Sequence, residues 1–366
     1  MTLTEYVEWL DKNLKYNTVI EEKDCKFYNV LEEPFDLYGF YQPNKRGEFC
    51  RVPEEITKDL SVGMQYFAKD TSGGRVRFKT NSKYIAISVK MPYLPTRNMA
   101  LSGSCGFDLF VDKKNGSEFY KAFIPPMGFE KGWEGIVYFS DRRERYITIN
   151  FPLYSHVDQL EIGLQANATL DHGKEYAIKK PVVFYGGSHV QGASASKPGN
   201  SAQGFFSRKF DCDFINLGFS GNALGEKQMA EYIAGMDATA LFMEYDHNAP
   251  NAEFLEQTHY AFYETVRNLQ PDLPIVMISK HDYYTCSYYV KTQRENELRR
   301  EVVLRSFERA KANGDEKVWF IDGKSLLSGE DRTACTMDGC HPNDLGFYRI
   351  AQKYSSWFKK YLQNKF

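Results

Sequence analysis

No stretch of the chain stays apolar for the roughly 18 residues that a membrane-spanning helix requires. The opening residues, Met1 to Trp9, lack the basic start and apolar core of a secretory signal. A cytoplasmic protein that stays off the membrane is the expectation. Neither charge sign is in excess: 46 Lys and Arg face 48 Asp and Glu, scattered along the chain. Without a basic stripe for a phosphate backbone, nucleic acid is not an expected partner. Cysteine is sparse, and its seven residues (Cys25, Cys50, Cys105, Cys212, Cys286, Cys335 and Cys340) form no C-x-x-C pair. That disfavours a disulfide framework or thiolate zinc site and predicts reduced, mostly buried thiols. Internal repeats and low-complexity segments are also missing. What remains is an ordinary globular composition, 42% hydrophobic and 26% charged over 366 residues, enough for two domains with separate cores.

Two textures divide the chain. Thr4 to Leu14 reads as a short amphipathic helix that packs on a neighbour, and residues 1–29 form a lead-in. From Val30 the pattern is period-two alternation, as in Val76, Phe78 and Thr80 or Ile85, Ile87 and Val89. Turn clusters such as Asp70 to Gly74 and Asp112 to Gly116 interrupt it. Residues 30–174 are therefore expected to form an antiparallel, jelly-roll-like β-sandwich. The polar run Ala166 to Lys180 reads as a linker, with a boundary near Glu175. Over 175–366 short apolar runs alternate with helical patterns: Val182–Tyr185, Asp213–Leu217, Thr239–Tyr245, Ile275–Ser279 and Val318–Ile321. Five such units predict an α/β domain, a parallel three-layer αβα sheet with right-handed crossovers.

Ser188 follows the first of these strands, after Gly186-Gly187, which lets the backbone turn sharply at a strand's carboxyl end. Ligands bind at that edge of an open α/β sheet, so Ser188 is a candidate nucleophile. A Gly-Ser turn capping a helix would look the same in isolation. The loop Met337-Asp338-Gly339-Cys340-His341-Pro342 adds what distinguishes them. An Asp three residues before a His can fix the imidazole tautomer through Nδ1 and leave Nε2 to take a serine proton. Cys340 beside His341 is a weaker nucleophile candidate, because adjacent side chains point apart. The α/β-hydrolase elbow Gly-x-Ser-x-Gly is not met, since Val190 replaces its second glycine.

Four separated blocks resemble the SGNH, or GDSL-like, esterase superfamily: Gly187-Ser188; Asn216-Leu217-Gly218-Phe219-Ser220-Gly221-Asn222; Asp246-His247-Asn248; and Asp338 to Pro342. Gly187 departs from the Asp of Gly-Asp-Ser, and the third block lacks a preceding Gly. The resemblance implies a flavodoxin-like SGNH domain preceded by a sandwich, as in carbohydrate acetylesterases. It assigns Ser188, His341 and Asp338 as a triad, with the Ser188 N–H, the Gly221 N–H and the Asn248 amide as oxyanion donors. Asn251 competes with Asn248 for that role. Gly221 as a plain turn glycine and Asn248 as a helix cap are the structural alternatives.

The expected substrate is a small acylated carbohydrate, most simply an acetyl ester. A lysophospholipase or thioesterase, or a carbohydrate-binding protein with a degenerate hydrolase domain, are the other readings. Trp133 in the glycine-rich stretch Gly128 to Gly135 reads as a loop residue able to pack on a sugar, and Tyr283 and Tyr284 as pocket walls. Strand aromatics are otherwise core. His189, His247 and His341 raise a metal-hydrolase rival, but no His-x-x-x-His accompanies them, so no metal and no other cofactor is expected. Oligomeric state is left open, a homo-oligomer included.

Overall fold

The computed structural model describes residues 3–281 and 290–363. Ten strands build the first half: β1 Cys25–Asn29, β2 Asp36–Tyr38, β3 Arg75–Thr80, β4 Tyr84–Lys90, β5 Phe107–Lys113, β6 Gly116–Phe123, β7 Gly132–Tyr138, β8 Arg145–Asn150, β9 Gln159–Gln165 and β10 Leu170–His172. One antiparallel sheet has the order β1-β9-β4-β7, and the other β10-β3-β8-β5-β6, with β2 also on β3. Alternate residues of both sheets meet in one core. Val76 and Phe78, Ile85 and Ile87, Leu109, Ile147 and Ile149, and Leu160 and Ile162 all lie in it. The sandwich begins at Cys25 rather than Val30, because Cys25 to Asn29 pair with Gln165 to Glu161. The helix Leu3–Leu10 does not pack as its apolar spacing predicts: Trp9 stays 66% exposed and Leu10 62%. Among the described residues no helix is long and apolar enough to cross a membrane.

The second half carries β11 Ile178–Gly186, β12 Cys212–Gly218, β13 Ala240–Glu244, β14 Ile275–Ile278 and β15 Val318–Ile321, all parallel, in the order β12-β11-β13-β14-β15. Each expected strand is present within a few residues of its predicted ends. Val182–Tyr185 of β11, Ala240–Met243 of β13, and all of β14 and β15 are apolar because both faces are covered, whereas β12, at one edge, carries Asp213 and Asn216. Val183, Tyr185, Leu241, Met243, Ile275 and Met277 pack with the helices Lys227–Ala234, Ala252–Leu269 and Val290–Ala312. Val182, Phe184, Phe242, Val276 and Ile278 pack with Ala202–Phe210 and Asp344–Gln363. The last helix buries Phe347, Ile350, Tyr354 and Phe358, the spacing of one helical face. The result is the three-layer αβα sheet, with β12 on one side of β11 and β13 on the other. Connections diverge at that point and leave a crevice at the carboxyl edge.

Candidate active site

β11 ends at Gly186, and the chain leaves the sheet through Gly187 into a single helical turn, Ser188–Gln191. Ser188 therefore stands at the crevice, 4% exposed. Gly187 departs from the superfamily aspartate for a visible reason. A Cβ there would lie 2.6 Å from Asn248 Oδ1 and 2.8 Å from His247 Nε2, side chains that arrive from the end of β13.

The Asp338 loop folds on itself. Asp338 Oδ1 accepts the backbone N–H of His341 at 2.8 Å and of Cys340 at 3.0 Å, while Oδ2 meets His341 Nδ1 at 2.7 Å. Gly339, at φ +80°, permits the tight loop, and the Met337 N–H closes it on the His341 carbonyl at 2.9 Å. Partial burial alone would raise the Asp338 carboxyl. The N–H and ring of His341 and the N–H of Cys340 outweigh it and pull it down to about 2. An ionised Asp338 holds the proton on Nδ1, so Nε2, 3.1 Å from Ser188 Oγ, is the acceptor for the serine hydroxyl. The three side chains named from the sequence thus form one hydrogen-bonded series.

Asn248 lies against Gly187, the residue before Ser188, and Gly221 follows Ser220, whose N–H donates to Gln191 Oε1 in the nucleophile turn. Gly221 adopts φ +66° in an exposed turn after β12, where an added Cβ would meet nothing within 4 Å. Among the described residues, the backbone N–H groups of Ser188 and Gly221 make no hydrogen bond. Asn248 sits in the turn after β13, and one N–H of its amide reaches the Phe219 carbonyl at 3.3 Å, which leaves the other. Asn251 does something else: its side chain caps the helix Ala252–Leu269 by accepting the Phe254 N–H at 2.8 Å.

The histidines also converge. The His189 ring stacks on His247 at 4.1 Å and approaches His281 at 4.2 Å and His341 at 5.6 Å. Burial, reinforced by the neighbouring imidazoles, holds His189 well below the usual histidine range. Burial and then Lys280 bring His281 down to about 3. His281 was not legible as a member of this group, since it follows β14 with no motif around it. Cys340 Sγ lies 3.8 Å from His189 Nε2.

Trp133 is not at this edge. The glycine-rich stretch is a turn only to Lys131, and Trp133 lies in β7, buried in the sandwich core against Phe107 and Phe129. Its indole N–H donates to Met91 Sδ at 3.3 Å. Tyr283 and Tyr284 lie outside the described residues.

The sandwich reaches the site by other residues, none of which the sequence marks. Asn98, between β4 and β5, places Nδ2 3.4 Å from both Asp338 Oδ2 and His341 Nδ1, and its carbonyl accepts Ser194 Oγ–H at 2.8 Å. Buried Gln191 joins three segments: its Nε2 donates to Asp70 Oδ2 at 2.8 Å and its Oε1 accepts the Ser220 N–H at 2.9 Å. Arg51, 1% exposed, donates to the carbonyls of Asn216 at 2.9 Å, Gly218 at 2.8 Å and Asp70 at 2.7 Å. These bonds fix the nucleophile turn and the Gly221 turn relative to one another.

Strand order and a crevice at the carboxyl edge together define an open, flavodoxin-like α/β domain. Residues 179–359 match the GDSL-like lipase/acylhydrolase family, and residues 25–170 match the N-terminus of SGNH hydrolase-type esterases. The chain belongs to this GDSL-like, or SGNH, esterase superfamily and is a hydrolase. Among solved structures it is similar to a Bacteroides ovatus protein described as a GDSL-like lipase, with 27% identity over 93% of this chain and 98% of that one and a TM-score of 0.84. A salicylyl-acyltransferase from a tetracycline biosynthetic pathway shares 18% identity over 93% and 98%, with a TM-score of 0.76. An acetyl xylan esterase from the rumen bacterium Butyrivibrio proteoclasticus shares 12% over 92% and 99%, with a TM-score of 0.58. The latter two likenesses are of fold. No curated protein matches the chain.

Proposed function

We propose that the protein is a serine esterase that removes short acyl groups, most readily acetyl, from carbohydrate esters. The observation that carries the reading is the series Asp338–His341–Ser188, with separations of 2.7 and 3.1 Å. Ser188 Oγ attacks the ester carbonyl as His341 Nε2 takes its proton, and Asp338 stabilises the imidazolium that results. The oxyanion is received by the N–H groups of Ser188 and Gly221 and the free amide N–H of Asn248. His341 returns the proton to the leaving sugar oxygen, and the acyl-enzyme is then cleared by water activated at the same nitrogen.

The carbohydrate assignment and the acetyl preference both draw on the two-domain likeness to acetyl xylan esterase. Each methylene that a small pocket excludes costs roughly 1 to 3 kcal/mol of discrimination. Acetate esters are therefore expected to turn over at least about tenfold faster than butyrates and to leave octanoates nearly untouched. An ester series of rising chain length, run beside a panel of acetylated oligosaccharides, measures this. Equal or better turnover of octanoate would remove the acetylesterase reading.

The acyltransferase likeness favours one second reading, in which an alcohol other than water clears the acyl-enzyme. It shares every step up to deacylation. Product analysis with added acceptor alcohols separates the two: free acid that persists at high acceptor concentration marks the hydrolase.

A further inference from the structure

Four of the chain's seven histidines meet at one sheet edge, and the reaction above uses only His341. Behind Ser188, one donor atom each from His189, Glu244 and His281 lies within 4.8 Å of the other two, and all three residues are buried. We propose that these three side chains form a binding site for a single divalent transition-metal ion of the zinc class.

The partners of each donor atom support this; burial raises the Glu244 carboxyl to about 8, so the ion binds there in place of a proton. His189 Nδ1, Glu244 Oε1 and His281 Nδ1 are all buried without a hydrogen-bond partner, a cost of about 1–3 kcal/mol for each such atom unless something binds it. The opposite atom of each group is occupied. His281 Nε2–H donates to the Cys340 carbonyl at 2.8 Å, and Glu244 Oε2 accepts Tyr354 OH at 2.7 Å. His189 Nε2 faces Cys340 Sγ. A ligating histidine whose second nitrogen donates to a carbonyl, and a ligating carboxylate whose second oxygen is held, are the outer contacts that metal sites require. His189 and His281 are kept neutral by burial, the form that binds metal.

A proton shared between Glu244 and His189 is the competing use of these atoms. It is disfavoured by the gap of 3.9 Å between Oε1 and Nδ1, wider than a hydrogen bond. Donors on a tetrahedral zinc sit about 2.0–2.2 Å from the ion, hence about 3.3 Å from one another, so occupation draws the three together by up to about 1.5 Å. A second constellation, His189, Cys340 and His341, is also close enough. It would consume the base already committed to Asp338 and Ser188. The chosen trio leaves His341 free.

His189 belongs to the nucleophile turn after β11, Glu244 ends β13, and His281 follows β14. These strands are neighbours in the sheet. An ion bound to all three ties the nucleophile turn to the strands beside it, with a position left for water. No step of acyl transfer is routed through it. Asp246, His247 and Lys280 surround the trio. The Asp246 carboxylate, which accepts the Lys280 N–H at 2.8 Å, adds negative charge next to the ion.

The test uses the untagged full chain, dialysed against metal-free buffer, with bound metal measured by mass spectrometry of the elements. We expect about one zinc per chain in wild type, in Ser188→Ala and in Cys340→Ser, and at least about a tenfold loss of affinity in Glu244→Gln. Thermal melting of stripped wild type gives a second reading that needs no variant to fold: saturating Zn(II) should raise Tm by at least about 3 °C. Less than about a tenth of an equivalent with no shift in Tm would overturn the site. So would binding that survives Glu244→Gln but is lost in Cys340→Ser. Because Ser188→Ala keeps the trio intact, failure of this site and failure of the esterase reading are distinguishable.

Discussion

Asn248 and Asn251 carry the same side chain three residues apart, and their surroundings give them different roles. Asn251 faces the first turn of a helix, where its oxygen satisfies the Phe254 N–H. Asn248 faces Gly187 and keeps an amide N–H free beside Ser188. Asn251→Ala should therefore cost about 1 kcal/mol of stability and leave turnover near wild type. Asn248→Ala should leave stability nearly unchanged and lower kcat by roughly one hundred to one thousandfold. Urea melts and steady-state kinetics on both variants check the pair, and the reverse pattern would exchange the roles. Residue types were legible where chemistry is local: Asp338 and His341 lie on one short loop, and Ser188 follows a glycine pair. Trp133 was misread because Gly132 and Gly135 carry a turn signal. Gly135 is in fact a strand residue at which a Cβ would lie 3.3 Å from the Trp133 ring.

Four of the five parallel strands were readable because burial on both faces makes them apolar for four residues in a row, and β12, broken by Asp213 and Asn216, was readable from its place between two helical patterns. β1 was not, since Cys-Lys-Phe-Tyr-Asn mixes polarity at a sheet edge, where one side of the ladder has no neighbour. The turn Ser188–Gln191 is too short to hold its own shape. Gln191 supplies what it lacks by joining Asp70 to the Ser220 N–H, one residue from Gly221. Gln191→Ala should cost about 1–3 kcal/mol, because the Asp70 and Ser220 groups lose a buried partner. By displacing the Gly221 turn it should also lower kcat about tenfold or more with KM little changed. A loss confined to KM would show that Gln191 positions substrate rather than the oxyanion turn.

The whole molecule behaves as two folds with one site between them. Sequence texture revealed the two halves, but the interface was invisible. A bond from Asn98 to Asp338 or from Arg51 to Gly218 spans well over a hundred residues and leaves no periodic mark. The sandwich supplies Asp70, Asn98 and Arg51, so the hydrolase half expressed alone from Glu175 should lose most of its activity even though its sheet is complete. Without Arg51 the carbonyls of Asn216 and Gly218 lose a buried donor, at about 1–3 kcal/mol each. Full activity and native-like melting of that half would show that the sandwich serves something other than the site. The central claim, acyl transfer through Ser188, is tested most directly by trapping the intermediate. The enzyme is mixed with an activated acetyl ester, quenched in acid within a turnover and mapped by peptide mass spectrometry. The account predicts acetyl on Ser188 in wild type. It predicts no acetyl there in Ser188→Ala and a loss of turnover of about a thousandfold or more. Acetyl found on Cys340, or near wild-type turnover in Ser188→Ala, would contradict it.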